Sequence, residues 1–284
     1  MQFRTSLLPI VAVAALATAC SKPETEVASG VESAGDELAE TQSIPAESNP
    51  FFTESSLYFK YPEFDKVKLE HYRPAFEQGM ADQLAEIDAI ANSEEPPTFD
   101  NTIVAMEKSG QLLNRVATVF FAMSSAHTNE DHQKIQAEMA PKLSAHGDAI
   151  GLNDKLFARI NTIYENRDNM ELDPESYRLI GEYRTDFVRA GVMLSAEDKE
   201  KLKAMNAELA SLGTQFSENV LAEVNQSAIV VDTAEELAGL SSGAIEAAAV
   251  AAKDRDLEGK YVIPLLNTSG QPALSALENR ALRE

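Results

Sequence analysis

The feature that most limits this fold is a spacing: through much of the chain, large apolar residues return at alternating steps of three and four. Such steps track the turn of an α-helix, about 3.6 residues, and draw one apolar stripe along it, whereas a half-buried strand alternates every second residue. Ile103, Met106, Gly110, Leu113, Ala117 and Phe120 make one series after Pro97, which predicts a single helix capped by Thr98 or Asp100. Leu156, Phe157, Ile160, Ile163 and Tyr164 make a second behind Asn153. A third, with Ile180, Tyr183 and Phe187, opens at Asp173-Pro174, where proline has no amide proton to lose. The longest begins at Ser195, whose hydroxyl can cap the amide of Asp198, and carries Leu202, Met205, Leu209, Leu212, Phe216 and Val220. It is expected to run for about seven turns with that stripe against the core.

Residues 69–91 also read as helix, entered near Pro74, and Pro141 is expected to start another after a break. Two segments look like strands, residues 228–231 and residues 259–266, the latter with Tyr261, Val262, Ile263 and Leu265. Between them, residues 235–253 are alanine-rich and interrupted at Ser241-Ser242-Gly243, so two short helices should separate the strands. The predicted fold class is mainly α-helical with one small β element. Pro272 opens a last helix bearing Leu274, Leu277, Ala281 and Leu282. With no glycine, asparagine or proline stop signal at Glu284, this end reads as a truncation inside a helix, the alternative being a natural terminal helix that frays.

At the other end, Arg4, an apolar run over residues 7–16 and the small residues Ala17-Thr18-Ala19 have the layout of an export signal, too short to span a bilayer comfortably. The thiol of Cys20 can take a diacylglyceryl thioether, so residues 1–19 are read as a signal peptide and Cys20 as the lipidation site that anchors the chain to a bilayer. An ordinary signal peptide cut near Ala19 is the alternative. Ser21 resembles the outer-membrane default, which places the expected protein on the periplasmic face of a bacterial envelope. Cys20 is the only cysteine, so an internal disulfide is excluded. Residues 20–50 have no aromatic side chain and carry Glu24, Glu26, Glu32, Asp36, Glu37, Glu40 and Glu47, the composition of a disordered tether reaching about 30 Å. Residues 51–284 form the expected helical region.

The net charge of -22 disfavours nucleic acid and anionic membrane surfaces as partners. Four histidines are too few and too scattered for a hydrolytic metal centre. His127 and His132 are five apart, which points them to different sides of a helix, and both read as solvated loop residues. His71 reads as a helix-start residue meeting solvent or a carboxylate, and His146 as structural, although it could pair with Asp148. No serine sits in a nucleophile motif, and no glycine-rich phosphate loop is present. Glu94-Glu95, Glu197-Asp198 and Glu235-Glu236 read as helix-start charges or solvated faces. The residues by themselves describe a non-enzymatic helical lipoprotein.

Several blocks in fixed order change that reading: Asn49-Pro50-Phe51-Phe52, FDKVKLEHYRPAFEQGM from Phe64, PPTFDNTIVAMEKSG from Pro96, APKLSAHGDAIGLNDKLFARI from Ala140, DFVRAGVMLSAEDK from Asp186, and QPALSALENRALRE from Gln271. Together they resemble the N-terminal half of bacterial peptidyl-dipeptidases (dipeptidyl carboxypeptidases), zinc metallopeptidases related to the thimet oligopeptidases. The resemblance implies one half of a two-lobed helical ellipsoid split by a deep channel. It implies hydrolysis by a zinc-bound water that releases dipeptides from the C-termini of short unfolded peptides. The zinc-binding H-E-x-x-H helix of the family lies in the C-terminal half and has no counterpart here. The resemblance therefore implies no catalytic, cofactor-binding or metal residue in this chain, with zinc bound only in the complete protein. Its implied partners are short peptides and the missing catalytic half. The competing expectation is a stand-alone helical lipoprotein that binds peptides or a protein partner without cutting them.

Overall fold

The computed structural model describes residues 49–265 and 270–284. The expected signal peptide, Cys20 and the tether up to residue 48 lie outside the described residues, as does the expected end of the second strand at Leu266. The side-chain amide of Asn49 donates to the His71 carbonyl at 2.9 Å while its oxygen accepts from the Phe51 amide.

Helix α1, Leu69–Ala91, starts five residues ahead of Pro74, which therefore lies inside it. The proline removes the amide that would bond the Glu70 carbonyl, and Glu70 is exposed, where solvent can serve that carbonyl. The same reason corrects the expectation at Pro141. Helix α4, Glu130–Gly151, runs through Pro141 without a break, and Ala137, four residues earlier, is exposed. The series from Ile103 to Phe120 is not one helix. Thr98 and Asn101 cap each other reciprocally at the start of a π-helical turn, Phe99–Val104, which leads into the short α2, Ala105–Lys108. The chain then breaks before α3, Gln111–Ala126. At the break Gly110 takes φ 70°, a left-handed conformation that costs a glycine little, and its amide donates to the Glu86 carboxylate of α1 at 2.7 Å. The spacing of three and four carries across the break because the segments on both sides turn their stripes toward α1.

The next three helices start where the sequence places them. Asn153 accepts from the amides of Lys155 and Leu156 at the start of α5, Asp154–Asn166, and Asp173 accepts from those of Glu175 and Ser176 at the start of α6, Pro174–Ala190. Ser195 accepts from the Asp198 amide at the start of α7, Ala196–Gln226, which spans 31 residues.

Two apolar cores share α1 as a spine. Its C-terminal half contributes Ile87 and Ile90 to a core completed by Ile103, Leu156, Ile160, Ile163, Ile180 and Phe187 from the π-helical turn, α5 and α6. Its N-terminal half contributes Tyr72 and Phe76 to another, with Val116, Val119 and Phe120 of α3 and Ile135 and Met139 of α4. Each such side chain, fully buried, contributes about 1.5–3 kcal/mol. At Gly79, between these halves, an added Cβ would come within 2.8 Å of the Leu113 backbone, so only glycine lets α1 and α3 approach this closely.

Helix α7 corrects an expectation. Its apolar stripe faces solvent: Met205 is 57% exposed, Leu209 51%, Leu212 52% and Phe216 69%. Lys199 and Thr214 are its buried residues, and the helix seats on α4 through small and polar side chains.

The remainder is a small α/β unit. Strands β1, Ile229–Val231, and β2, Tyr261–Ile263, pair antiparallel with Val230 opposite Val262. The 3-10 turn Ala234–Leu237 and helix α8, Ser242–Lys253, lie between them, and Val231, Leu237, Ala248 and Leu277 form its core. The last segment is a 3-10 turn, Pro272–Ser275, and a short α9, Arg280–Arg283, in place of one helix. Leu277 tucks into the core between them, and the Glu278 amide donates to the Ala238 carbonyl at 2.8 Å.

Candidate functional site

Three of the four histidines are structural, for reasons of position. His71 is the third residue of α1; its Nδ1 accepts from the Lys68 amide at 3.1 Å, which closes the helix start as a side-chain cap, and it is buried with Nε2 3.9 Å from the Glu70 carboxylate, so of the two expected settings it meets the carboxylate and not solvent. His132 is not a solvated loop residue. Asn129 caps α4, placing His132 in its first turn, and the ring stacks on Phe120 at 5.4 Å and meets Tyr72 edge-on at 5.5 Å. Neither of its ring nitrogens has a hydrogen-bond partner among the described residues. His127 stays exposed at the end of α3, so the two histidines do not converge. His146 bonds Gln83 of α1 through Nε2 at 2.7 Å and does not pair with Asp148, whose carboxylate accepts from Asn206 of α7. Two residues apart on a helix, those side chains point away from each other.

Burial lowers the pKa of all three buried histidines; His127 lowers that of His132 further, and for His71 the Glu70 charge works in the opposite sense. Burial also raises the Asp148 carboxyl, against hydrogen bonding from Asn206. At Glu138 burial pushes upward, but hydrogen bonds from Arg73 and Lys142 outweigh it and the net shift is down. Among the described residues no group of three His, Cys, Asp or Glu side chains is placed to hold a metal ion. Glu197 and Asp198 do lie in the first turn of α7, and Glu236 closes a capping box with Thr233, whereas Glu94 and Glu95 sit in the loop after α1.

Sequence reasoning missed the polar node at Arg159. It is 6% exposed on the core face of α5, and its guanidinium donates to the carbonyls of Ser93 and Glu95 at 3.0 Å each, to Asn101 Oδ1 at 2.9 Å and to Thr102 Oγ1 at 3.3 Å. All four acceptors are neutral, so the node ties the loop after α1 and the π-helical turn to α5 and has no charged partner to act on. The visible signal was an arginine one residue ahead of Ile160 on a buried stripe. Lys199 has a similar role: its ammonium meets Asp154 Oδ1 at 2.6 Å and the Leu152 carbonyl at 3.2 Å, fastening the start of α7 to the start of α5.

A cavity among Phe51, Val67, Arg115 and Val119 holds about 30 Å³, room for one water and none for a peptide. A second, more open cleft of about 340 Å³ lies among Asn49, Pro50, Glu54, Glu63 and Lys66, and the described residues also offer two exposed apolar patches. One patch is the stripe of α7; the other is the turn at Tyr58 and Phe59, 83% and 86% exposed, where Phe59 and Lys60 take φ 56° and 58°.

The chain is 44% identical over 236 residues to dipeptidyl carboxypeptidase of Escherichia coli strain K12, covering 83% of this chain and 35% of that protein. Dipeptidyl carboxypeptidase of Salmonella typhimurium is also 44% identical, over 237 residues that cover 84% of this chain and 35% of the relative. Oligopeptidase A of Escherichia coli is 26% identical over 238 residues, 84% of this chain and 34% of its own length. No protein-family model matches the chain. The resemblance carried by the ordered blocks is thereby borne out, for a chain that spans about a third of the length of these relatives.

Proposed function

Because this chain is a relative of dipeptidyl carboxypeptidases and oligopeptidases A over most of its length, we propose that it is the N-terminal, non-catalytic half of a zinc-dependent oligopeptidase. The observation that carries the reading is the 44% identity over 236 residues. The complete protein releases dipeptides from the C-termini of short unfolded peptides. This half supplies one wall of the substrate channel, a rigid helical surface that admits extended peptides and excludes folded proteins. The described residues do not fit a zinc site, because no three His, Cys, Asp or Glu side chains among them converge on one point. No catalytic step is assigned to them.

The enzyme works in the bacterial envelope, held to the outer membrane by lipid on Cys20. That placement rests on the signal-like layout ahead of Cys20 and the acidic segment after it. Cys20→Ser should convert a membrane-pelleting protein into a soluble or unprocessed one; unchanged fractionation would sink the anchor.

Reading the coding region past codon 284 tests the peptidase half of the proposal directly. An in-frame H-E-x-x-H, with chelator-sensitive release of a C-terminal dipeptide from a blocked tetrapeptide by the longer product only, is the expected result. Turnover by the 284-residue chain alone, or a genuine stop with no such motif, would overturn it.

A further inference from the structure

Successive residues of an α-helix are rotated by about 100°, so Met205, Leu209, Leu212 and Phe216 fall within a sector of about 60°. Each is more than half exposed. On the opposite side Thr214 is buried, with Ala207 and Ala210 beside it, and on the flank Asn206 donates to Asp148 of α4 at 2.7 Å. The helix is thus already seated, through its small face, and its large apolar face is left over. Isolated exposed apolar residues are ordinary; a stripe sustained over three turns is the mark of a contact surface.

The charges point the same way. The first two turns of α7 carry the ion pairs of a solvated helix, Lys201 with Glu197 and Lys203 with Glu200. Over residues 204–217, Glu208 is the only charged side chain, in a chain that is 25% charged. Depletion of charge around an apolar centre characterises the buried middle of an interface.

We propose that the outer stripe of α7 is the seat of an apolar helix face contributed by the portion of the peptidase that this chain does not span. The inference rests on the reading of the chain as one half of an oligopeptidase. Two observations select this occupant over a second copy of the chain. The relatives carry about two-thirds of their length beyond the aligned stretch, which supplies a partner in the same polypeptide. A net charge of -22 on each copy opposes bringing two of them together.

The test co-expresses the full 284-residue chain with the portion of Escherichia coli dipeptidyl carboxypeptidase that lies outside the aligned stretch, as a separate polypeptide. Co-purification and dipeptide release are both read. The double variant Leu209→Glu with Phe216→Glu should lower co-purification by about tenfold or more. Val250→Glu, at a position 55% exposed on α8, should leave it within about twofold. Both variants should keep the wild-type circular dichroism melting profile, since the altered side chains are exposed, so lost capture would not reflect lost folding. Failure of the wild-type pair to co-purify, equal capture by the double variant, or a homodimer of the chain alone that the double variant dissolves would each overturn the docking proposal. Capture that depends on α7 but yields no dipeptide release would leave the docking surface standing and count against the assignment of dipeptide release to the assembled protein.

Discussion

Helices α5 and α7 use the same apolar spacing in opposite ways. In α5, Leu156, Ile160 and Ile163 are completely buried among α1, α6 and the π-helical turn. In α7, Met205, Leu209, Leu212 and Phe216 look outward while alanines, an asparagine and a threonine occupy the inner side. Both spacings follow the turn of a helix. What differs is whether the described chain supplies a facing surface, and hydrophobic stabilisation exists only where another surface removes water. A stripe therefore certifies a helix with a partner, and leaves open whether the partner lies within the same stretch of chain.

The comparison breaks most visibly at Ile160. Replacing it with aspartate buries a carboxylate with no cation beside it except the already committed Arg159, and should cost about 4 kcal/mol or more. Chemical denaturation of the chain should show a collapsed midpoint or no folded baseline; a stable Ile160→Asp protein would mean that α5 is not a core helix.

Acidification gives an intermediate effect that belongs to the first helices and bypasses the outer face of α7. His71, His132 and His146 have folded-state pKa values lowered by burial from 6.5, so the unfolded chain binds more protons once the pH drops through that value. Stability should be full above about pH 6.5 and fall as the pH drops below it, by up to about 1.4 kcal/mol per pH unit for each histidine until its folded pKa is reached. Asp148, with its pKa raised by burial, works in the opposite sense: its contribution grows as the pH falls through the raised folded pKa toward 3.8. His132→Phe, which keeps the aromatic stack on Phe120, should flatten the slope of melting temperature between about pH 7.5 and 5.5. A slope unchanged by this substitution would show that His132 is not a buried neutral residue.

The smallest effect is the sharpest. Leu209→Asp in the 284-residue chain should change stability by no more than about 0.5 kcal/mol, because the side chain it replaces is already half in water. A loss comparable to that of Ile160→Asp would place the α7 stripe in a core after all.

Legibility from sequence followed the range of the interactions involved. The cap at Ser195 was readable, and the helix starts behind Asn153 and at Asp173-Pro174 were placed correctly, since a side-chain oxygen reaching an amide two or three residues on needs nothing else. Prolines misled at Pro74 and Pro141, where an exposed residue four positions earlier lets water take the freed carbonyl. The break at Gly110 was hidden because the deciding partner, Glu86, belongs to another helix. His132 read as a loop residue for the same reason, since Phe120 and Tyr72 come from two separate helices. The Arg159 node was equally out of reach, its four acceptors lying 57–66 residues away.

The sequence by itself determined that the chain is mainly helical, where several helices begin, that two strand-like segments within residues 228–231 and 259–266 make one small sheet, and, through its ordered blocks, a likeness to dipeptidyl carboxypeptidases. These are consequences of local hydrogen bonding, periodicity and shared descent, all written along the chain. Only the tertiary structure decided which apolar stripes are covered, that three histidines serve packing, and that α7 turns its small face inward and its large one out. Burial depends on surfaces brought together from distant positions, and a one-dimensional period carries no record of what stands opposite.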